Sequence, residues 1–291
     1  MTAYYSSLTT TAHCKRLVSS IKAFDIPVPK PLSDTLDAWQ RMKAFAAPSD
    51  AVANEIKDKI VRGELTDAQL ATLAAKGAAE QAARDYVASI TGHETLYVRR
   101  FHDALDNGIA DEIIDALRPK VDQAMAAIAA AKEHINGDES LEAFLNHADA
   151  EALDAWQSLP GYIATLDRAE NILNNFLPGS SFPLFESSPA TGRMSAFAVF
   201  FTDPSLGKLM EASQFSHTGR NGDRRDNPWY RVMTSIKLNT LAEAREYHRA
   251  YLEQDYETVN QTFRGTVTED HGIVQDAPMP NPYRKPEPAE S

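Results

Sequence analysis

One cysteine, Cys14, is all that 291 residues contain, so no intrachain disulfide can form, and this usage fits a reducing, intracellular setting. No stretch approaches the roughly 20 consecutive apolar residues of a membrane-crossing helix, which argues against a membrane partner. The start, MTAYYSSLTTTAHCKR, lacks a basic segment followed by an apolar one, so no secretory signal is expected. Basic residues are short: 29 Lys and Arg face 41 Asp and Glu, a formal net charge of −12. That balance argues against non-specific binding to nucleic acid or anionic lipid as the main activity.

Recognisable catalytic motifs are missing too. Phosphate-loop, dinucleotide-binding and nucleophile-elbow patterns do not occur. The eight histidines, at 13, 93, 102, 134, 147, 217, 248 and 271, form no close cluster with one another or with Cys14, so neither metal nor cofactor is expected. His13 and Cys14 are neighbours, which point apart on a helix and cannot serve as base and nucleophile. His248, within Glu246–Tyr251, is expected on an exposed helix face. Trp39, Trp156 and Trp229 each lie among apolar positions and are expected as core anchors.

What the chain does have is helical patterning. Between Asp111 and Ile135, the residues Ile114, Leu117, Val121, Ala124, Ile128, Ala131 and Ile135 recur at alternating steps of three and four. That a/d stripe is an interaction seam, with Asp111, Glu112 and Asp115 on its solvated flanks. The preceding stretch, 66–91, is Ala-rich nearly all round: strongly helical, but with no well-specified buried face. A capping box at Thr66 and Gln69 opens it. Gly92, Asn107-Gly108 and Pro119 mark breaks or kinks. After the turn signal Asn136-Gly137-Asp138, a second stripe runs through Ala152, Trp156, Leu159, Ile163, Leu166 and Leu173, interrupted by Pro160-Gly161. The two stripes predict an antiparallel helical hairpin kinked at a similar level in both arms.

Upstream, Thr10–Phe24 reads as a helix, and the prolines at 27, 29 and 31 then force extended backbone. Helices follow with Leu36, Trp39, Met42 and Phe45, and with Val52, Ile56 and Ile60; Gly63 ends the latter. Beyond Pro178 the character changes. Ser195–Thr202 (SAFAVFFT) reads as a buried strand and Tyr230–Leu238 as a half-buried one. Leu241–Asn260 is helical, and a short hairpin is expected around Asp270-His271-Gly272. The Pro-rich end from residue 276 is expected to be a disordered tail. The fold class is therefore mainly α, with a kinked antiparallel coiled-coil hairpin and a small C-terminal α/β unit. The expected segments are 1–65 helical, 66–177 the hairpin body, 178–275 the α/β unit and 276–291 the tail.

One polar loop could carry chemistry. His217, Arg220, Asp223, Arg224, Arg225 and Trp229 combine turn-forming glycines with guanidinium groups able to hold a phosphate or carboxylate bidentately. His217 would serve as acid/base and Asp223 as its orienting partner; the simpler account is a solvated surface loop whose charges pair locally. Trp229 and Tyr230 would be the stacking residues of a nucleic-acid-binding alternative.

The segment ADEIIDALRPKVDQAMAAIAAAKEHI, 110–135, resembles Ala-rich coiled-coil segments of proteins from actinobacterial phages and prophages. The resemblance implies a role in virion structure or assembly, in the host cytoplasm or the virion, and carries no catalytic or binding residue with it. The expectation is a non-enzymatic interaction protein with protein partners, a second copy included.

Overall fold

The computed structural model describes residues 9–47, 50–91, 94–136, 141–185, 196–201, 229–230, 237–262, 267–269 and 272–274. It is mainly helical, and it divides into two compact units. Leu8–Val18 and Val28–Leu105 make the amino-terminal unit; the described residues of the other fall in Ser19–Pro27 and Asp106–Ser291. The division at Leu105–Asp106 lies inside the stretch 66–177 that patterning treats as one body. Its cause is local. A π-helical turn, Leu105–Ile109, contains Asn107 (φ −89°, ψ 28°) and Gly108 (φ 110°, ψ −13°), and that backbone interrupts the helix where the Asn-Gly pair predicts a break.

The amino-terminal unit contains the first part of α1 (Thr11–Ala23), then α2 (Lys30–Ala46), α3 (Ala51–Val61), α4 (Asp67–Thr91) and α5 (Glu94–Ala104). Prolines in the first turn of α2 sit where a missing N–H costs nothing. The core forms around Cys14, Leu17, Leu32, Leu36, Val98 and Phe101, all buried, with the Trp39 ring 5.1 Å from that of Tyr97. The start of α1 is held by Glu94, whose carboxylate accepts from the Thr11 amide at 2.6 Å.

α3 and α4 pack against each other across a short turn. Gly63, at φ 67°, ends α3: its N–H donates to Ile60 O and that of Glu64 to Lys59 O, the paired closure of a left-handed cap. The capping box opens α4 as patterned, with Thr66 N–H donating to Gln69 Oε1 (3.0 Å) and Gln69 N–H to Thr66 Oγ1 (3.3 Å). At Gly77 the two helices approach so closely that a Cβ would lie 3.2 Å from Val52 Cγ1.

The second unit is built on α6 (Ala110–His134) and α8 (Ala150–Leu173), which pack against each other. All seven residues of the first stripe are buried, as are Ala152, Leu159, Ile163, Leu166 and Leu173 of the second. Pro119 lies inside α6 and Pro160 inside α8, and neither starts a new helix. Asp149 caps α8 by accepting from the Ala152 amide at 2.8 Å. α7 (Leu141–His147) joins through Phe144, whose ring lies 5.4 Å from that of Trp156. Lys120 secures the end of α1, donating to Phe24 O, Asp25 O and the Asp25 carboxylate at 2.9–3.0 Å.

The C-terminal portion departs from expectation in three places. Ala196–Phe200 is a helix, α9, not a strand. Every side chain from Ala196 to Phe201 is buried, and an apolar run buried on all sides has no period to distinguish strand from helix. Asn239 completes the helix end, its amide N–H donating to Phe200 O at 2.8 Å and its side chain to Val199 O at 2.9 Å. Tyr230, read as opening a strand, is helical, and the rest of that strand up to residue 236 lies outside the described residues.

α10 (Leu241–Thr262) matches its expected range closely. His248, expected on an exposed face, is buried instead, its ring 5.3 Å from that of Phe185. Leu241, Ala244, His248 and Leu252 share a stripe at helical spacing, so the imidazole falls on the packed face. Among the described residues the strands are β1 (Val267–Glu269) and β2 (Gly272–Val274). They pair antiparallel with Thr268 opposite Ile273, about where the short hairpin is expected. The expected tail lies outside the described residues.

Candidate interaction surface

Ile114, Leu117, Val121, Ile128 and Ile135, the seam predicted as an interaction surface, are buried within the chain itself. These side chains leave no exposed apolar surface along the seam.

Of the predicted loop site, His217, Arg220, Asp223, Arg224 and Arg225 lie outside the described residues. Trp229 is described, and it is enclosed. Its indole N–H donates to Asp167 Oδ1 at 2.7 Å, and its ring packs edge-on to Phe197 (4.7 Å) and Phe201 (4.9 Å). Tyr230, also buried, donates its hydroxyl to Ile135 O at 2.5 Å, and the Lys132 ammonium lies 5.1 Å over its ring. Burial lowers the pKa of Lys132. In this arrangement both rings anchor the end of α6 and the flank of α8, which fills the core role patterning gave Trp229 and leaves neither face open for stacking.

Among the described residues, no group of three or more His, Cys, Asp or Glu is placed to hold a metal ion. Burial pushes the Cys14 thiol up to about 12, which keeps it protonated at neutral pH and suppresses its nucleophilicity. No described helix is long and apolar enough to cross a membrane.

Among the described residues the large exposed apolar side chains are Phe45, Ile60, Val61, Leu70, Tyr86, Leu96 and Leu145, and four of these seven lie on α3 and α4. No residue of α3 is buried, and of the described α4 side chains only Leu73 is. The covered stripe of α4 is Leu73, Gly77, Glu80, Arg84 and Val87, again at steps of four and three. It faces α2 and α3 and leaves the other alanines in solvent. At the turn between the helices Ile60 is 58% exposed, Val61 86% and Leu70 41%. An open groove beside them is lined by Lys59, Ala68, Gln69, Thr72 and Leu73. Sequence patterning flagged α4 as helical without a specified buried face. It missed the display of Ile60 and Val61, because Ile60 falls on the apolar spacing of α3.

No protein-family profile, curated protein or solved structure matches the chain.

Proposed function

We propose that this chain is a non-enzymatic helical interaction protein whose contact surface is the α3–α4 pair. One observation carries the proposal: two helices with apolar character bury almost nothing of their own, and they present Ile60, Val61 and Leu70 to solvent. Single exposed apolar residues are ordinary, but large ones gathered at one turn beside a groove mark an interaction site. In a finer form, α6 and α8 make the kinked antiparallel hairpin, and the protein is a structural or assembly component of the phage type. The resemblance that suggests this covers 110–135, whose stripe residues are buried, so it speaks to the hairpin and not to the partner.

The test is affinity capture with the full chain and with an Ile60→Glu/Val61→Lys variant as baits. Partners, second copies included, should be held by the first and lost from the second. An identical set with both baits, or no partner with either, overturns the proposal.

A further inference from the structure

We infer that His13 makes the first turn of α1 a proton-sensitive latch, closed while the imidazole is neutral and opened by its protonation. Thr10 precedes α1, and His13 is the third residue of the helix, the place that Glu or Gln fills in a capping box. From there Nδ1 of His13 reaches back and accepts from the Thr10 amide at 3.1 Å. A backbone N–H can only donate, so Nδ1 must present a lone pair and the ring proton sits on Nε2. The Thr10 hydroxyl also lies 3.1 Å from Nδ1. The His13 and Cys14 amides close the same turn by donating to Thr10 O at 2.9 and 3.4 Å.

Protonation puts a hydrogen on Nδ1. The Thr10 hydroxyl can turn and accept from it, but the Thr10 amide is left facing another donor. An imidazolium there also adds positive charge at the positive end of the helix dipole. Histidine is the side chain that makes this change between about pH 5 and 8. Neighbouring charges act in both directions. Lys15 and Arg16 on α1 and Lys43 on α2 oppose a further positive charge, while the Glu94 carboxylate on α5 favours it. Glu94 itself accepts from the Thr11 amide at 2.6 Å, and these Thr11 bonds lower its pKa. It therefore stays ionised and keeps its hold on Thr11 throughout the range in which histidine titrates. Loosening of the turn in that range belongs to His13: the cap is present at the higher pH and lost as pH falls.

Cys14, buried and next along the chain, reports the opening. The experiment labels the full chain with the disulfide reagent dithiodipyridine at about pH 8 and about pH 5.5, on either side of ordinary histidine titration. Each rate is divided by the rate in denaturant at the same pH, so that the intrinsic reactivity of thiol and reagent cancels. The expected result is a ratio that rises about fivefold toward the lower pH, the worth of one lost cap. In His13→Gln the side-chain oxygen accepts from the Thr10 amide at every pH, and the ratio should stay level. A second measurement needs no variant. In the unaltered chain the Thr10 amide resonance should move with the same midpoint as the ring protons of His13. A ratio that does not change with pH, an equal rise in His13→Gln, or a Thr10 amide indifferent to the ring overturns the inference.

Discussion

The carboxylate of Glu94 accepts two hydrogen bonds from Thr11, one from its amide at 2.6 Å and one from its hydroxyl at 2.5 Å, across 83 positions of sequence. A residue in the first turn of α5 thereby satisfies a donor that the start of α1 would leave open. These two bonds lower the Glu94 pKa, aided by Lys43 and Lys15 and opposed by partial burial. A depressed carboxylate contributes stability that is present above its unfolded value of about 4.3 and lost as pH falls through the folded value. Glu94→Gln should lower stability near pH 7 by about 1 kcal/mol and flatten the acid limb of the stability curve. Urea unfolding from pH 7 to pH 3 checks this; parallel curves for the two proteins would refute it.

A second acid-sensitive contact opens α10. Glu243 accepts from Lys237 Nζ at 2.8 Å and from the Thr240 amide at 2.8 Å, while its own amide donates to Thr240 Oγ1 at 3.2 Å. The Lys237 bond first, and the capping bonds after it, hold the carboxyl at about 2. Its contribution is therefore expected to be complete above about pH 4.3 and to fall away toward pH 2. Glu243→Ala should cost about 1 kcal/mol at neutral pH. Hydrogen exchange at the first amides of α10 should quicken more than at its middle.

Cys14 gives a direct reading of opening in the amino-terminal unit. The thiol is buried and raised to about 12, and it is the only cysteine, so any labelling reports on one site. A thiol reagent at pH 8 should react on the order of a hundredfold or more slowly with folded protein than with protein in denaturant. Fast labelling of the native chain would show that Cys14 is not enclosed.

Leu117 and Leu70 should separate interior from surface. Leu117→Ala, within the buried stripe of α6, should cost about 2–5 kcal/mol through the cavity it leaves. Leu70→Ala, at a position 41% exposed, should change monomer stability by about 0.5 kcal/mol or less. Denaturant midpoints at low concentration measure both, and equal losses would contradict the assigned burial.

Trp229 tests the anchoring of the C-terminal portion. Trp229→Phe retains the ring contacts with Phe197 and Phe201 but removes the donor to Asp167, and should cost about 1 kcal/mol. Trp229→Ala should cost about 3–5 kcal/mol. A harmless Trp229→Ala would mean that the indole is not part of the core.

The sequence by itself determined the local features of this protein. The a/d stripe of α6, the Thr66–Gln69 box, the Gly63 stop and the Asn107-Gly108 break each depend on residues within a few positions, where helix period and backbone sterics act directly. It paired the two stripes as a hairpin but could not determine whether any of the seam would stay uncovered. In the structure Ile114, Leu117, Val121, Ile128 and Ile135 are all buried within the chain, where α6 and α8 pack against each other. Ala196–Phe200 was open to either regular structure because its apolar run lacks a period, and the surroundings chose the helix. The polarity of His248 points to an exposed face, yet the stripe of α10 buries it beside Phe185. Glu94 reaches Thr11 only because folding brings α5 to the start of α1, a proximity no local pattern encodes. Tertiary packing likewise covered the buried stripes inside the chain and left Ile60, Val61 and Leu70 of α3 and α4 exposed.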